Sequence, residues 1–314
     1  MPGNLNIKKH ILATLTYFNM FDYPLKKREI YIFLGNKINR QDFEHALCQL
    51  VEEAGIFKIG NFYSLFNNYA LAERRNRGNL KAEKMLQKAE RSAAIIAGFP
   101  FVKGVAISGS LSKKFADEGA DTDFFIITTS NRLWIARTLL HLFKKFTFLF
   151  NLQDHYCMNY FIDEASPCIL EKNIYTATEA VTMIPVCGTE AFELFYQANS
   201  WTKEFFPNQY MHISSAKEIK RTWLRYAIER LTSNPAGDWL DTFLMKLTAK
   251  SWDAKKRNKK KNSKGLPMGM HCGKHFSKPD PANFQRKLLL RYDKSLNEVI
   301  GQYDLSSQVK NKSL

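Results

Sequence analysis

Apolar residues near the N-terminus recur at helical spacing. Ile11, Leu12, Leu15 and Phe18 mark one face of a helix over Ile7–Phe18. Pro24, within Phe21-Asp22-Tyr23-Pro24-Leu25, breaks that helix and opens the next, over Lys27–Leu34, which Gly35-Asn36 ends. A third helix is predicted over Arg40–Glu53. Phe43, Leu47, Leu50 and Val51 share one of its faces, and Gly55 follows its end. From Ile56 to Leu65 the pattern alternates about Gly60-Asn61, a hairpin signal. Three helices and a hairpin predict a winged helix-turn-helix over residues 1–67. Residues 68–98, rich in Arg, Lys, Glu and Ala, predict one long polar linking helix.

The rhythm changes over residues 99–176. Val102–Ile107 and Phe124–Thr129 are apolar runs that predict strands, Arg132–Phe146 has helical spacing, and Tyr156–Ile162 predicts a third strand. Residues 177–314 read as a helical C-terminal domain. Its predicted helices are Thr178–Ile184, Thr189–Ala198, Ala216–Leu231, Asp238–Ala254 and Asn283–Ile300. Residues 255–281, basic and rich in Gly, Ser and Pro, read as a flexible solvated loop.

Composition bounds the class. A chain of 314 residues suggests two or three domains. Its 45% apolar and 24% charged content is ordinary for a soluble globular protein. A formal net charge of +16 attracts nucleotides, nucleic acid, acidic surfaces or anionic lipid without choosing among them. The five cysteines are widely spaced with no CxxC pair, as expected of free thiols in a reducing compartment. Thr14, Thr16 and Asn19 interrupt the apolar stretch Ile11–Phe21, which therefore fits an amphipathic helix better than a signal peptide. Arg137, His141, Lys144 and Lys145 argue against a membrane span over Leu133–Leu152. A cytoplasmic protein with no membrane partner is expected.

The chemistry lies between the first two strands of the middle region. Val105-Ala106-Ile107-Ser108-Gly109-Ser110-Leu111-Ser112 runs an apolar strand into a Gly-Ser turn and a short helix. Glycine lets backbone N–H groups approach a phosphate closely, and the start of a helix adds partial positive charge. Gly109, Ser110, Ser112 and Lys113 are therefore candidate nucleotide-binding residues. Asp121-Thr122-Asp123 then leads into the second strand. Residues i and i+2 of a strand share a face, and two carboxylates so placed repel unless a cation joins them. Hard oxygen ligands of this kind suit Mg²⁺, or Mn²⁺, shared with a triphosphate. The competing reading is a surface turn followed by a charged strand edge. The joined pattern, strand–Gly-Ser–helix–Asp-x-Asp–strand, is more specific than either motif alone.

On Gly109, Ser110, Asp121 and Asp123 the chain resembles the DNA polymerase β-type nucleotidyltransferase superfamily, especially its minimal, kanamycin-nucleotidyltransferase-like members. The resemblance covers roughly residues 100–165 at motif level. The flanks resemble a bacterial group that places a winged helix before such a core. This flavour shows in Leu15-Thr16-Tyr17-Phe18 to Pro24, in Arg132-Leu133-Trp134 and in Cys157-Met158-Asn159-Tyr160-Phe161. The resemblance implies an α+β fold: a small mixed β-sheet with helices on one face, joined to a helical C-terminal part. It also implies transfer of a nucleoside monophosphate from a metal-bound nucleoside triphosphate to a hydroxyl acceptor, with pyrophosphate leaving. The acceptor is a small molecule, a protein or a nucleic acid.

Active members of that superfamily usually add a third carboxylate on a later strand. Here the mid-strand polar residue is Asn159, which can ligate a metal through oxygen but cannot act as a base. Asp163 shares the face of Asn159 by the two-residue period, and Asp154 does not. The third carboxylate is thus Asp163 or absent, and a nucleotide-binding regulatory module without turnover stands as the alternative to an enzyme. Residues 1–67 are open to DNA or a protein partner, with a structural or partner-docking wing the stronger reading. The third helix carries Asp42, Glu44, Glu52 and Glu53 against Arg40 alone, which opposes a phosphate backbone. Lys255–Lys261 reads as a solvated basic run, and His271, Cys272 and His275 as a chance grouping rather than a zinc site.

Overall fold

The computed structural model describes residues 2–150, 155–209, 216–219, 222–261, 265, 267–280 and 283–312. The chain opens with α1 (Pro2–Asn19), β1 (Leu25–Lys26), α2 (Lys27–Ile32), α3 (Arg40–Glu52), β2 (Phe57–Ile59) and β3 (Phe62–Ser64). The three strands form an antiparallel sheet in the order β1-β3-β2. Asn39 starts α3 by accepting the Asp42 N–H at 2.8 Å, the exchange that makes asparagine a good N-cap. Residues Tyr69–Ala97 then form one long helix, α4.

The remaining elements are β4 (Val102–Ser108), α5 (Gly109–Ser112), β5 (Asp123–Thr128), α6 (Leu133–Thr147), β6 (Cys157–Asp163), α7 (Ile174–Thr182), β7 (Ile184–Cys187), α8 (Thr189–Ala198), α9 (Thr202–Phe205), α10 (Trp223–Thr232), α11 (Pro235–Arg257), β8 (Met270–Cys272), β9 (Phe276–Pro279) and α12 (Phe284–Lys312). Six strands build a mixed sheet in the order β7-β4-β5-β6-β9-β8. Only β5 and β6 run parallel; every other neighbouring pair is antiparallel.

Three expectations need correction. Helices cover both faces of the central sheet, not one. Val105, Ile107, Phe124, Ile126 and Phe161 pack with Ala89, Ala93 and Ile96 of α4 and Trp134 and Leu140 of α6. On the other face Ala106, Phe125, Ile127 and Ile162 pack with Ala177 and Ala180 of α7 and Phe192 and Phe195 of α8. That second cluster continues into Ile11, Leu15, Phe43 and Leu47 of the N-terminal helices. The apolar runs Val105–Ile107 of β4 and Phe124–Ile127 of β5 are what a strand buried on both faces requires.

The region after residue 176 is also not purely helical. Ile184–Cys187 is an edge strand, where Pro185 is tolerated because one side of the strand needs no ladder partner. The helix expected over Ala216–Leu231 begins only at Trp223, and Lys217 instead bridges Cys187. Finally, the supposed loop 255–281 holds β8 and β9, which extend the sheet beyond β6. His275 anchors that hairpin by its Nδ1, 2.9 Å from Oδ2 of the fully buried Asp163.

α6 starts against a carboxylate supplied from α11. Asp241 Oδ1 accepts the N–H groups of Trp134 (2.8 Å) and Ile135 (2.9 Å). These are two of the donors a helix start leaves unpaired. Burial, which outweighs these two hydrogen bonds and the charge of Arg132, pushes the Asp241 carboxyl up to about 6. Its proton is therefore held more tightly in the folded chain than in the unfolded one. This contribution to stability is present at low pH and declines as pH rises from about 4 to about 6. Asp241→Ala is expected to cost about 1–3 kcal/mol by orphaning both amides. Asp241→Asn should keep an acceptor and flatten the acid-side slope, as urea melts across that pH window would read.

Candidate functional site

Ser108, Asp123 and Cys157 form one row across three adjacent strands. Ser108 ends β4 opposite Asp123, which begins β5. Asp123 in turn lies opposite Cys157, which begins β6. Asp121 lies two residues before β5, and Gly109 opens α5 directly after Ser108. The topology thus gathers the Gly-Ser turn, both aspartates and the start of β6 at one end of three neighbouring interior strands.

Gly109 holds φ +67°, a left-handed conformation that costs a side chain strain. A Cβ there would also lie 2.5 Å from Asp123 Oδ2. The glycine is therefore what lets the turn close against the carboxylate. Asp121, Asp123 and Cys157, all half-buried, offer ligand atoms within 4.8 Å of one another. Asn159 adds a fourth polar group, its Nδ2 donating to Asp123 Oδ1.

The position of Asn159 results from a β-bulge. Phe124 pairs with Met158, but Phe125 pairs with Tyr160, so Asn159 is the extra residue. The bulge keeps Cys157 and Asn159 beside Asp123 and resets the alternation beyond. Ile162 then faces α7 and α8, and Asp163 points the opposite way. Of the two alternatives for the third carboxylate, Asp163 or none, this placement disfavours Asp163. Asp163 pairs with Thr128, at the far end of β5 from Asp123. Five residues of strand at about 3.3 Å each separate the two levels. Its carboxylate is used structurally, accepting the N–H groups of Asn131 (2.9 Å) and Ala165 (3.1 Å) and meeting His275. Asp154 lies outside the described residues.

Ser112 and Lys113 are engaged within the turn rather than aimed out of it. Ser112 Oγ donates to the Gly109 carbonyl at 2.8 Å. Lys113 Nζ donates to the same carbonyl at 3.0 Å and pairs with Glu179 of α7 at 2.7 Å. Tyr23, between α1 and β1, donates its hydroxyl to the Lys113 carbonyl. Ser110 is exposed at the start of α5. The turn is thus braced from three sides, and Glu179 and Tyr23 are parts of its frame that spacing alone does not reveal.

Electrostatics separates the four polar groups. Burial first, and then the negative charge of Asp123, pushes the Cys157 thiol up to about 12, so it stays protonated near neutrality. Its Sγ donates weakly to Asn159 Oδ1 at 3.7 Å. Burial, and next Glu179, raise the Tyr175 phenol well above its ordinary value, with Asp123 adding to the shift. Asp121 and Asp123 thus stand beside a protonated thiol and the Asn159 amide. His155 and Tyr156, directly before Cys157, line a shallow recess of about 330 Å³ with Lys88, Arg91 and Ser92. No sequence motif marks this basic recess, because its two halves lie more than sixty positions apart in the chain.

The histidine–cysteine grouping does not assemble. His271 meets Asp280 at 3.1 Å, whereas His275 meets Asp163. Among the described residues no helix is long and apolar enough to cross a membrane. Comparison with protein families, curated proteins and solved structures found no match.

Proposed function

We propose that the chain is a metal-dependent nucleotidyltransferase, moving a nucleoside monophosphate from a nucleoside triphosphate to a hydroxyl acceptor. The observation that carries this reading is the contact of Gly109 with Asp123. A side chain at position 109 would be strained and would meet Asp123 Oδ2, so the glycine brings the turn's backbone against one carboxylate of the Asp-x-Asp pair, as expected where turn and pair serve one ligand. Phosphate oxygens fit the turn, and a divalent cation fits the pair.

The donor set suits a hard cation. Mg²⁺ is commonly held by one or two carboxylates, with substrate phosphates and water completing its shell. Asp121 and Asp123 fill that role, and the protonated Cys157 thiol is a poor partner for so hard an ion. Such a cation, when bound, draws charge from the triphosphate oxygens as a Lewis acid. The chain's own residues do the rest. The Gly109–Ser110 turn receives the phosphates, and Asn159 orients the Asp123 carboxylate. The acceptor oxygen attacks the α-phosphorus, the bond from the α-phosphorus to its bridging oxygen breaks, and pyrophosphate leaves with that oxygen. The hydroxyl proton passes to a carboxylate of the pair, since Asn159 is neutral and Cys157 already holds its proton.

The neutral third-strand groups favour a second reading. With an amide and a thiol where active relatives of the resembled superfamily place a carboxylate, the site would hold a metal–nucleotide without turning it over. The N-terminal helices and their three-stranded sheet would then serve as a winged helix docking DNA or a protein. On α3, Glu44 pairs with Lys27, and Glu53 just after its end pairs with Lys8, so part of the acidic charge there is spent internally.

One assay separates the readings. The full chain is incubated with Mg²⁺ or Mn²⁺ and each α-labelled triphosphate, alone and with acceptor panels of small hydroxyl compounds, proteins and oligonucleotides. Transfer predicts pyrophosphate release and labelled acceptor, both lost in Asp121→Asn with Asp123→Asn. Label transfer that survives in this double variant refutes the site. Tight nucleotide binding with no pyrophosphate across the panel moves the assignment to the binding module.

A further inference from the structure

The C-terminal end of α6 turns apolar side chains outward. Leu142 and Phe146 on its last turns are exposed. So are Phe148, Leu149 and Phe150 in the single 3₁₀ turn that follows, Leu149 at 74%. The rings of Phe146 and Phe150 meet edge to face, 5.5 Å between centroids. A group of large apolar residues at one projecting end marks a surface meant to be covered.

Cations collar this end. Lys144 and Lys145 lie on the last turn of α6, and no acidic residue occurs between Arg132 and Phe150. α11 runs beside α6 in the same direction. Its Asp241 meets the start of α6, and its last turn supplies Lys255, Lys256 and Arg257 next to the end. Burial first, and then the positive charges of Arg137, Lys260 and Lys145, weaken the hold of Lys255 on its proton, which puts Lys255 alongside α6 from Arg137 to Lys145.

We propose that this end of the α6–α11 pair binds the surface of an anionic lipid bilayer. A bilayer supplies both halves of what the patch lacks: anionic headgroups for the lysines, and an acyl boundary for aliphatic and aromatic side chains together. A second copy of the chain fits poorly, because each copy carries +16 and would present the same basic collar. A nucleic-acid strand would satisfy the charge and stack on the phenylalanines, but it has no use for Leu142 and Leu149. The contact is peripheral. It requires no membrane-crossing helix, and none of the described helices is long and apolar enough to be one.

The test is sedimentation of the full chain with phosphatidylcholine vesicles, with and without phosphatidylglycerol, at low and high salt. Binding to the anionic vesicles only, weakened by salt, is expected. Lys255→Gln and Lys256→Gln should each lower partitioning about fivefold. Leu149→Ser with Phe150→Ser should lower it at least ~10-fold through lost apolar burial. Lys256, Leu149 and Phe150 are exposed and Lys255 is half-buried, so circular dichroism of the variants should match the parent. Equal binding to neutral vesicles, no binding to either, or variants that bind like the parent overturns the proposal. So does oligonucleotide binding that depends on the lysines while vesicles are ignored, or concentration-dependent dimerisation lost in the Leu149/Phe150 variant without vesicle binding.

Discussion

Gly109→Ala is expected to lower the proposed nucleotidyl transfer by ~100-fold or more while leaving most of the fold intact. Two costs add at this position. The backbone holds φ +67°, which an alanine adopts at a cost of about 1–3 kcal/mol. The new methyl would also sit 2.5 Å from Asp123 Oδ2, so the turn or the carboxylate must move. A displacement of about 1 Å at a reacting centre is enough for a hundredfold loss. Gly119→Ala separates the two effects. Gly119 has φ +73°, but a methyl added there would meet nothing within 4 Å, so it carries the strain without the clash. Gly119→Ala should lose stability in melting experiments and keep its transfer rate. Equal rates for the two variants would show that the turn does not position Asp123.

The same row of residues shows what a single sequence can and cannot disclose. The edges of β4, β5 and β6 were legible, because apolar runs punctuated by Gly109 and by Asp121-x-Asp123 leave few other readings. α8 falls on Thr189–Ala198 as its periodicity predicts. β7 was hidden because a four-residue apolar run resembles the end of the preceding helix, although Pro185 argued against a helix there. β8 and β9 were hidden because lysines, glycines and prolines around them give the composition of a loop. β9 pairs with β6, more than a hundred residues earlier, and β8 pairs with β9. The face of Asp163 was lost for a different reason. Counting by two assumes a regular strand, and one bulged residue at Asn159 inverts every side chain beyond it. The bulge is set by tertiary packing, with Met158 and Tyr160 each committed to a different core, and no local signal announces it.

The largest loss of stability is expected at Arg75, on α4 outside the candidate site. Its guanidinium is 1% exposed and spends its donors on three partners: the Pro24 carbonyl (2.7 Å), Glu29 Oε1 (2.7 Å) and Asn79 Oδ1 (2.8 Å). It also stands 3.5 Å from the centre of the Tyr23 ring. Glu29 meanwhile caps α2 by accepting the Lys26 N–H at 2.8 Å. One side chain of α4 thus holds the turn after α1, the start of α2 and the ring of Tyr23. Removing one member of a buried pair strands the other's charge, so Arg75→Ala or Glu29→Ala should each cost about 3–5 kcal/mol. Arg75→Ala with Glu29→Ala should cost less than the sum of the single losses, since neither charge is then left behind. Breaking the exposed Lys27–Glu44 pair should change little, because solvent already screens it. Tyr23 also reaches the Lys113 carbonyl, so Arg75→Ala should loosen the Gly109 turn and weaken nucleotide binding at temperatures where the chain is still folded. Urea unfolding of the four variants, with nucleotide titrations well below the melting point, reads both effects. Additive losses in the double variant would show that Arg75 and Glu29 act independently rather than as one clamp.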